Sequence, residues 1–190
     1  YTRQDSGYHW NYSPQWVFLD RLVARFAHKA IACSGDVRAH MTEKERIGPG
    51  KVAMVHHGIP TGRYTSQDPA IMARLRARFG LEGQGPVFGT LARFIEWKGY
   101  EHIVNAARIL VKRHPRARFL FCGTGPQEAQ VRRWVTEYGL EANIIFTGWV
   151  ERDDVPSLFG IMDGYLHAGT SSTAAPRCPK VLIAPQDRKS

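Results

Sequence analysis

Two cations five residues apart, Arg93 and Lys98, stand between a short apolar run and Gly99 in the stretch Gly89-Thr90-Leu91-Ala92-Arg93-Phe94-Ile95-Glu96-Trp97-Lys98-Gly99. Arginine offers a planar fork for bidentate contact and lysine a compact point charge. A helix opens behind them, because Ile103, Ala106, Ala107, Leu110 and Val111 recur at helical spacing. Its unpaired N-terminal amides, near Lys98 and Gly99, add donors and partial positive charge. Such a set holds an anion, and diphosphate is the natural ligand. An isolated Arg and Lys near a strand end are in general solvated surface charges. Here strand, turn and helix start agree with two motifs downstream.

The cations need a sheet to hold them. Pro86 to Leu91 is short, apolar and flanked by Gly and Pro, as in a parallel strand covered on both faces. A second strand, Arg118 to Cys122, runs into Gly123-Thr124-Gly125-Pro126, and Val131, Trp134, Val135 and Tyr138 mark the helix after it. A glycine turn of this kind lets a ligand approach backbone amides, and it serves equally as a plain tight turn. A third strand, Asn143 to Phe146, ends in Thr147-Gly148-Trp149-Val150, where Trp149 reads as a rim or a core aromatic.

Upstream, Ser13-Pro14 caps a helix with an apolar stripe of Trp16, Leu19, Val23 and Phe26, while Tyr1 to Asn11 shows no period. Strand Ala30 to Cys33, helix Asp36 to Arg46, the stop Ile47-Gly48-Pro49-Gly50 and strand Lys51 to Val55 follow. Thr61 to Asp68 is polar and reads as a linker, before a basic helix, Pro69 to Phe79, ended by Gly80. Asp153-Asp154 are suited to capping a short helix with Pro156, and strands over Asp163 to Ala168 and Val181 to Ala184 complete the pattern. Alternation of strand and helix predicts an α/β chain with doubly wound parallel sheets. His56, His57 and His167 have no partner recognisable from the sequence, and His167, at a strand end, is the one worth mutating.

A length of 190 residues with 43% hydrophobic composition permits a real core. No charged-then-apolar leader occurs, nor any apolar run near the roughly 18 residues that span a bilayer. An integral membrane protein is therefore not expected, and the start at Tyr1 suggests missing upstream sequence. Cys33, Cys122 and Cys178 are far apart and read as reduced thiols of a cytosolic protein. The net charge of +9 makes nucleic acid, anionic lipid and nucleotide sugar candidate partners. No nucleic-acid module is visible. Cations such as Arg74, Arg76, Arg78, Lys112, Arg113, Arg132 and Arg133 are spread over several elements, and helix solubility and an anionic membrane surface remain two readings of them. No Asp-x-Asp pair, His/Cys cluster or P-loop argues for a metal or cofactor.

In R-F-I-E-W-K-G (93–99), F-L-F-C-G-T-G-P (119–126) and N-I-I-F-T-G-W-V (143–150), taken in order, the chain resembles the group 1 retaining glycosyltransferases, family GT4. The similarity runs from about Ala30 through Tyr165. It implies a GT-B fold, in which two Rossmann-like domains face across a cleft and the second holds a nucleotide-diphosphate sugar, UDP- or GDP-linked. On that likeness residues 1–60 are the end of an incomplete acceptor-side domain. Residues 61–85 are linker and basic helix, and residues 86–190 a largely present donor domain. Arg93 and Lys98 correspond to the catalytic diphosphate-binding pair, and Gly99, Gly123, Gly125, Trp149 and Val150 to donor-binding positions, the last two near the base. The implied reaction passes a sugar to a glycan or lipid-linked acceptor with retention and without metal, at the inner face of the membrane.

The likeness breaks after Ala168. The family continues with E-G-F-G and a second Glu seven residues after the first, whereas Gly169 to Lys180 here contains no acidic residue and carries Pro176 and Pro179. A divergent end and a truncated fragment are the two readings. A nucleotide- or phosphate-binding module without transferase activity is the alternative function.

Overall fold

A computed structural model describes residues 2–3, 14–58, 60–65, 67–83, 85–169 and 184–185. Ser13, Cys178 and the run 170–183 lie outside these. The chain divides into two compact units, one built on residues 1–59 and one on residues 60–170.

The first unit has a three-stranded parallel sheet in the order β1 (Thr2–Arg3), β2 (Ala30–Ala32), β3 (Val52–Met54). The sequence shows only the last two, since two residues are too few to display a period. Helix α1 (Val17–Phe26) precedes β2. Its buried residues are Val17 and Ala24, while the apolar stripe, Trp16, Leu19, Val23 and Phe26, is exposed, as are Phe18 and Leu22. Periodicity identified the helix and its apolar side correctly, but not what stands opposite that side. The expected helix over Asp36 to Arg46 is α2 (Gly35–Ala39) followed by a wider π-helical turn, His40–Lys44. Ser34 caps α2, its hydroxyl accepting from the Val37 N–H at 3.2 Å. Arg46 leaves the turn in a left-handed conformation, φ 58°.

The second unit is a five-stranded sheet in the order β6-β5-β4-β7-β8: β4 (Val87–Leu91), β5 (Arg118–Cys122), β6 (Ile144–Gly148), β7 (Gly164–Tyr165) and β8 (Ala184–Pro185). All pairs are parallel except β7 with β8. Of the strand expected over Asp163 to Ala168, only Gly164–Tyr165 is regular, and the Asp163 carboxylate accepts from the Val87 N–H at 2.8 Å. The supposed linker carries a short helix, α3 (Gly62–Thr65). Helix α4 (Pro69–Arg78) begins at Asp68, whose carboxylate accepts from the Ala70 N–H at 2.8 Å, and has Pro69 in its first turn.

Alternate residues of β5 enter opposite cores. Phe119 and Phe121 pack with α5 (Tyr100–Arg113) and α6 (Glu128–Glu137), whereas Leu120 and Cys122 pack with α4 and α7 (Val155–Gly160). This is why an unbroken apolar run, rather than an alternating one, makes a strand covered on both faces. Helix α5 buries Tyr100, Ile103, Val104 and Ala107. Ala106, expected in that stripe, is exposed. Asp153 and Asp154 do not cap α7: they pair with Arg63 at 2.6 Å and Arg74 at 2.7 Å, tying the start of α7 to α3 and α4.

Candidate donor site at the strand ends of the second unit

Strands β4, β5 and β6 are neighbours and parallel, so the loops after Leu91, Cys122 and Gly148 emerge along one edge. The chain winds outward from β4 to β6 and returns on the other side of β4 with β7, which makes the β4 loop a topological switch point. Backbone hydrogen bonds lace the three loops together. Ala92 N–H donates to Cys122 O at 3.0 Å, Phe94 N–H to Thr124 O at 3.1 Å, Gln127 N–H to Phe94 O at 3.0 Å and Gly123 N–H to Gly148 O at 2.9 Å.

Such close approach leaves no room for side chains. A Cβ on Gly123 would collide with the Ala92 carbonyl, and one on Gly125 would stand 2.5 Å from Phe94 O and 2.7 Å from Phe94 N. The immediate structural requirement for both glycines is thus loop-to-loop packing. Phe94 is fully buried and stacks on Tyr100, ring centroids 4.3 Å apart. Its neighbour Arg93 therefore rises from a fixed backbone with an exposed side chain. Tyr100 donates its hydroxyl to Ala92 O at 2.8 Å and Tyr165 to Leu91 O at 3.2 Å, satisfying the last carbonyls of the β4 edge. Burial raises both phenol pKa values, so both stay neutral donors.

A cavity of about 410 Å³ opens above these loops. Arg93, Gly123, Trp149 and Val150 line it, four of the seven residues singled out from the sequence. Trp149 is 70% exposed at the rim, while Val150 belongs to the core. Leu91, Cys122 and Val155 add apolar surface, and burial raises the Cys122 thiol to about 11, leaving it an unreactive part of the lining. Sequence reasoning missed Arg152, a second cation in this lining. Its only signal was its place three residues after Trp149, weak in a chain with many arginines.

Lys98, Gly99 and Gly125 do not line this cavity. Lys98 is half-buried in a 3₁₀ turn, Glu96–Lys98, directly before α5. The amides of Lys98 and Gly99 themselves belong to that turn, Lys98 N–H donating to Ile95 O at 3.0 Å and Gly99 N–H to Glu96 O at 3.1 Å, so the N-terminal amides of the helix lie beyond them. The helix begins one residue later, at Tyr100, with no side-chain cap. Gly99 has φ 67°, and a Cβ there would strike the Ala168 carbonyl, so the chain leaving β7 lies against the start of α5. The His167 imidazole pKa is lowered, by burial first and by the nearby Lys98 charge second. His56 and His57 are exposed. Among the described residues no group of three His, Cys, Asp or Glu is placed to hold a metal ion.

An open, mostly parallel sheet covered by helices, with laced loops and a cavity at the C-terminal ends of its strands, defines a Rossmann-like α/β protein. Residues 72–175 match the family model for glycosyl transferases group 1, and the chain belongs to that family. It is 38% identical over 96 residues to the 2-deoxystreptamine glucosyltransferase of Streptomyces kanamyceticus, covering 50% of this chain and 25% of that protein. It is 29% identical over 157 residues to a GDP-mannose-dependent alpha-(1-6)-phosphatidylinositol monomannoside mannosyltransferase of Mycolicibacterium smegmatis, covering 78% and 40% respectively. The crystal structure of Anabaena HepE in complex with UDP-glucose superposes with a TM-score of 0.76 at 22% identity, over 89% of this chain and 46% of that one, a likeness of fold. The chain spans less than half the length of each of these relatives.

Proposed function

We propose that the chain is the donor-binding part of a GT-B glycosyltransferase that transfers a sugar, with retention, from a UDP- or GDP-linked donor to a glycan or lipid-linked acceptor. The observation that carries this reading is the convergence of Arg93, Gly123, Trp149 and Val150 on one cavity at the strand ends. Lys98 and Gly99 stand at the uncapped start of α5, where a helix dipole favours an anion. In this reading residues 86–190 are the donor domain and residues 1–60 the end of the acceptor-side domain. Arg93 and Lys98 hold the diphosphate, Gly123 and Gly125 bring the loops within reach of the donor, and Trp149 and Val150 receive the base.

The bond from the anomeric carbon to the phosphate oxygen breaks, and its electron pair leaves on the diphosphate. Arg93 and Lys98 take up that charge as the sugar becomes oxocarbenium-like, which is electrostatic catalysis by preorganised cations. The acceptor oxygen then attacks from the leaving-group side, and its proton departs with the diphosphate. Relatives that use GDP-mannose, and a structural neighbour bound to UDP-glucose, support a nucleotide-sugar donor. A relative named as a phosphatidylinositol monomannoside mannosyltransferase supports a lipid-linked acceptor.

The second reading, a binding module that transfers nothing, is favoured by the lack of any acidic residue from Leu166 to Ala184. Calorimetric titration with UDP and GDP tests the site: Arg93→Ala and Lys98→Ala each weaken binding by about 1.5 to 3 kcal/mol, as for a charged hydrogen bond. Unchanged binding in both variants refutes the diphosphate assignment. Transfer of labelled sugar to a lipid or glycan extract, measured in parallel, decides between the two readings.

A further inference from the structure

The cavity at the strand ends of the second unit carries a cation that holding a diphosphate leaves unused. Arg93 belongs to the loop after β4, whereas Trp149, Val150 and Arg152 follow β6. Strand β5 stands between the two, and two inter-strand spacings set their ends roughly 10 Å apart. A diphosphate at Arg93 therefore leaves Arg152 for a more distant part of the same ligand. On the donor reading proposed above, from which this inference starts, that part is the base, and the base is still open between uracil and guanine.

The side chains of the β6 loop divide the work of receiving a base. Trp149, at the rim, offers an aromatic face, and stacking on such a face accepts any base, because each has a π-surface. Val150 and Val155 add only apolar contact. Discrimination falls to hydrogen bonding, and Arg152 is the polar side chain that this loop contributes to the lining. The carboxylates around it are turned elsewhere. Asp153 accepts from Arg63 at 2.6 Å, and both oxygens of Asp154 accept from one Arg74 Nη at 2.7 Å. Glu151 is exposed and outside the lining. Among the described residues no carboxylate or amide side chain lines the cavity, and none forms an ion pair with Arg152. An exposed arginine is in general a solvated charge. This one shares a cavity wall with an aromatic ring, and two of its neighbouring carboxylates are tied to other arginines.

We propose that Arg152 selects the base by donating to a carbonyl oxygen of a uracil stacked on Trp149, so that the site takes UDP-linked donors in preference to GDP-linked ones. A guanidinium has only donors and no acceptor. Uracil presents two carbonyl acceptors flanking a single N–H, so donor meets acceptor. The pairing edge of guanine presents N1–H and the 2-amino group beside one carbonyl, and these donors face a cation with no carboxylate or amide in the lining to accept from them. Arginine also reads guanine at O6 and N7, but that contact leaves the same two donor groups unmatched by the lining. Trp149 is 70% exposed, so water reaches this end of the cavity. The preference is accordingly about tenfold, far below that of an enclosed site built on matched hydrogen bonds.

Calorimetric titration of the chain with UDP and with GDP tests this through the ratio of the two dissociation constants. The parent should bind UDP about tenfold more tightly than GDP. Arg152→Gln, whose amide both donates and accepts, should bring the ratio near one. Arg152→Asp should reverse it, because a carboxylate accepts from guanine N1–H and the 2-amino group. The ratio cancels the general loss of positive charge, which weakens both nucleotides alike. Arg93→Ala should weaken both and leave the ratio unchanged. Each variant should melt at the parent's temperature, since both arginine side chains are exposed. If the parent binds neither nucleotide, the donor reading falls and the base assignment with it. Arg93-dependent binding of both with a ratio near one overturns the base assignment alone. So does a preference for UDP that neither Arg152 variant moves, which is what ring size by itself would give. Tighter binding of GDP than of UDP also overturns it, and loss of that advantage in 7-deaza-GDP would assign Arg152 to the O6 and N7 edge of guanine instead.

Discussion

The two units use the same alternation of strand and helix and close it differently. In the second, helices cover both faces of the sheet, and its two cores draw on Phe94, Tyr100, Phe119 and Phe121 on one side and Leu75, Leu120, Leu158 and Met162 on the other. In the first, a three-stranded sheet has one small core, with Ala24, Ala30 and Ala32 beside Val37, Met41, Ile47 and Val52, while Trp16, Phe18 and Phe26 lie outside it. Hydrophobic content is therefore not what distinguishes them. The candidate site lies at strand ends of the second unit, where both faces of the strand are packed, whereas the exposed apolar side chains of α1 belong to the first unit.

The sharpest way to break this contrast is to truncate one aromatic in each unit. Phe121→Ala empties a fully buried position and should destabilise the second unit by about 3 to 5 kcal/mol. Phe26→Ala removes an exposed ring and should cost less than about 0.5 kcal/mol. Denaturant titration with segment-resolved hydrogen exchange reads the two units separately, and equal losses would show that the exposed stripe is covered in solution. A somewhat smaller effect is expected at the loops. Gly99→Ala combines a left-handed backbone with a collision at Ala168 and should cost about 2 to 4 kcal/mol, whereas Gly48→Ala, with φ −54° and open space around it, should be near neutral.

Smaller still is the ion pair that ties α7 to α4. Arg74→Ala should cost under about 1 kcal/mol, since the arginine is largely exposed, and a larger loss would mean that the pair helps to hold the cavity wall. The smallest effect is a pH dependence at His167. Its folded pKa lies below the ordinary 6.5, so the neutral ring is favoured in the folded state. The corresponding stability is full above pH 6.5 and declines as pH falls through the lower folded value. Comparing urea midpoints at pH 7.5 and pH 5 should show a shallower decline for His167→Gln than for the parent. Identical declines would remove the Lys98–His167 proximity from the account.

Local chemistry determined much of this protein from the sequence alone. Short apolar runs bounded by Gly and Pro placed β4, β5 and β6, helical spacing placed α5 and α6, and the Arg93–Lys98 pair was legible because it sits between one of each. Those signals are periodic or adjacent, so they need no knowledge of distant residues. What stands opposite a surface is not local, and there only the tertiary structure decided. Trp149 and Val150 are neighbours in sequence, yet one is 70% exposed and the other 7%. A 3₁₀ turn over Glu96–Lys98, which propensity did not reveal, moved the start of α5 to Tyr100, and Asp153 and Asp154 met arginines 90 and 80 residues away instead of capping a helix. Arg152 joined the cavity at the strand ends, and α1 left its apolar side exposed, for the same physical reason: burial and pairing are properties of the partners a residue meets, and the chain brings those together only on folding.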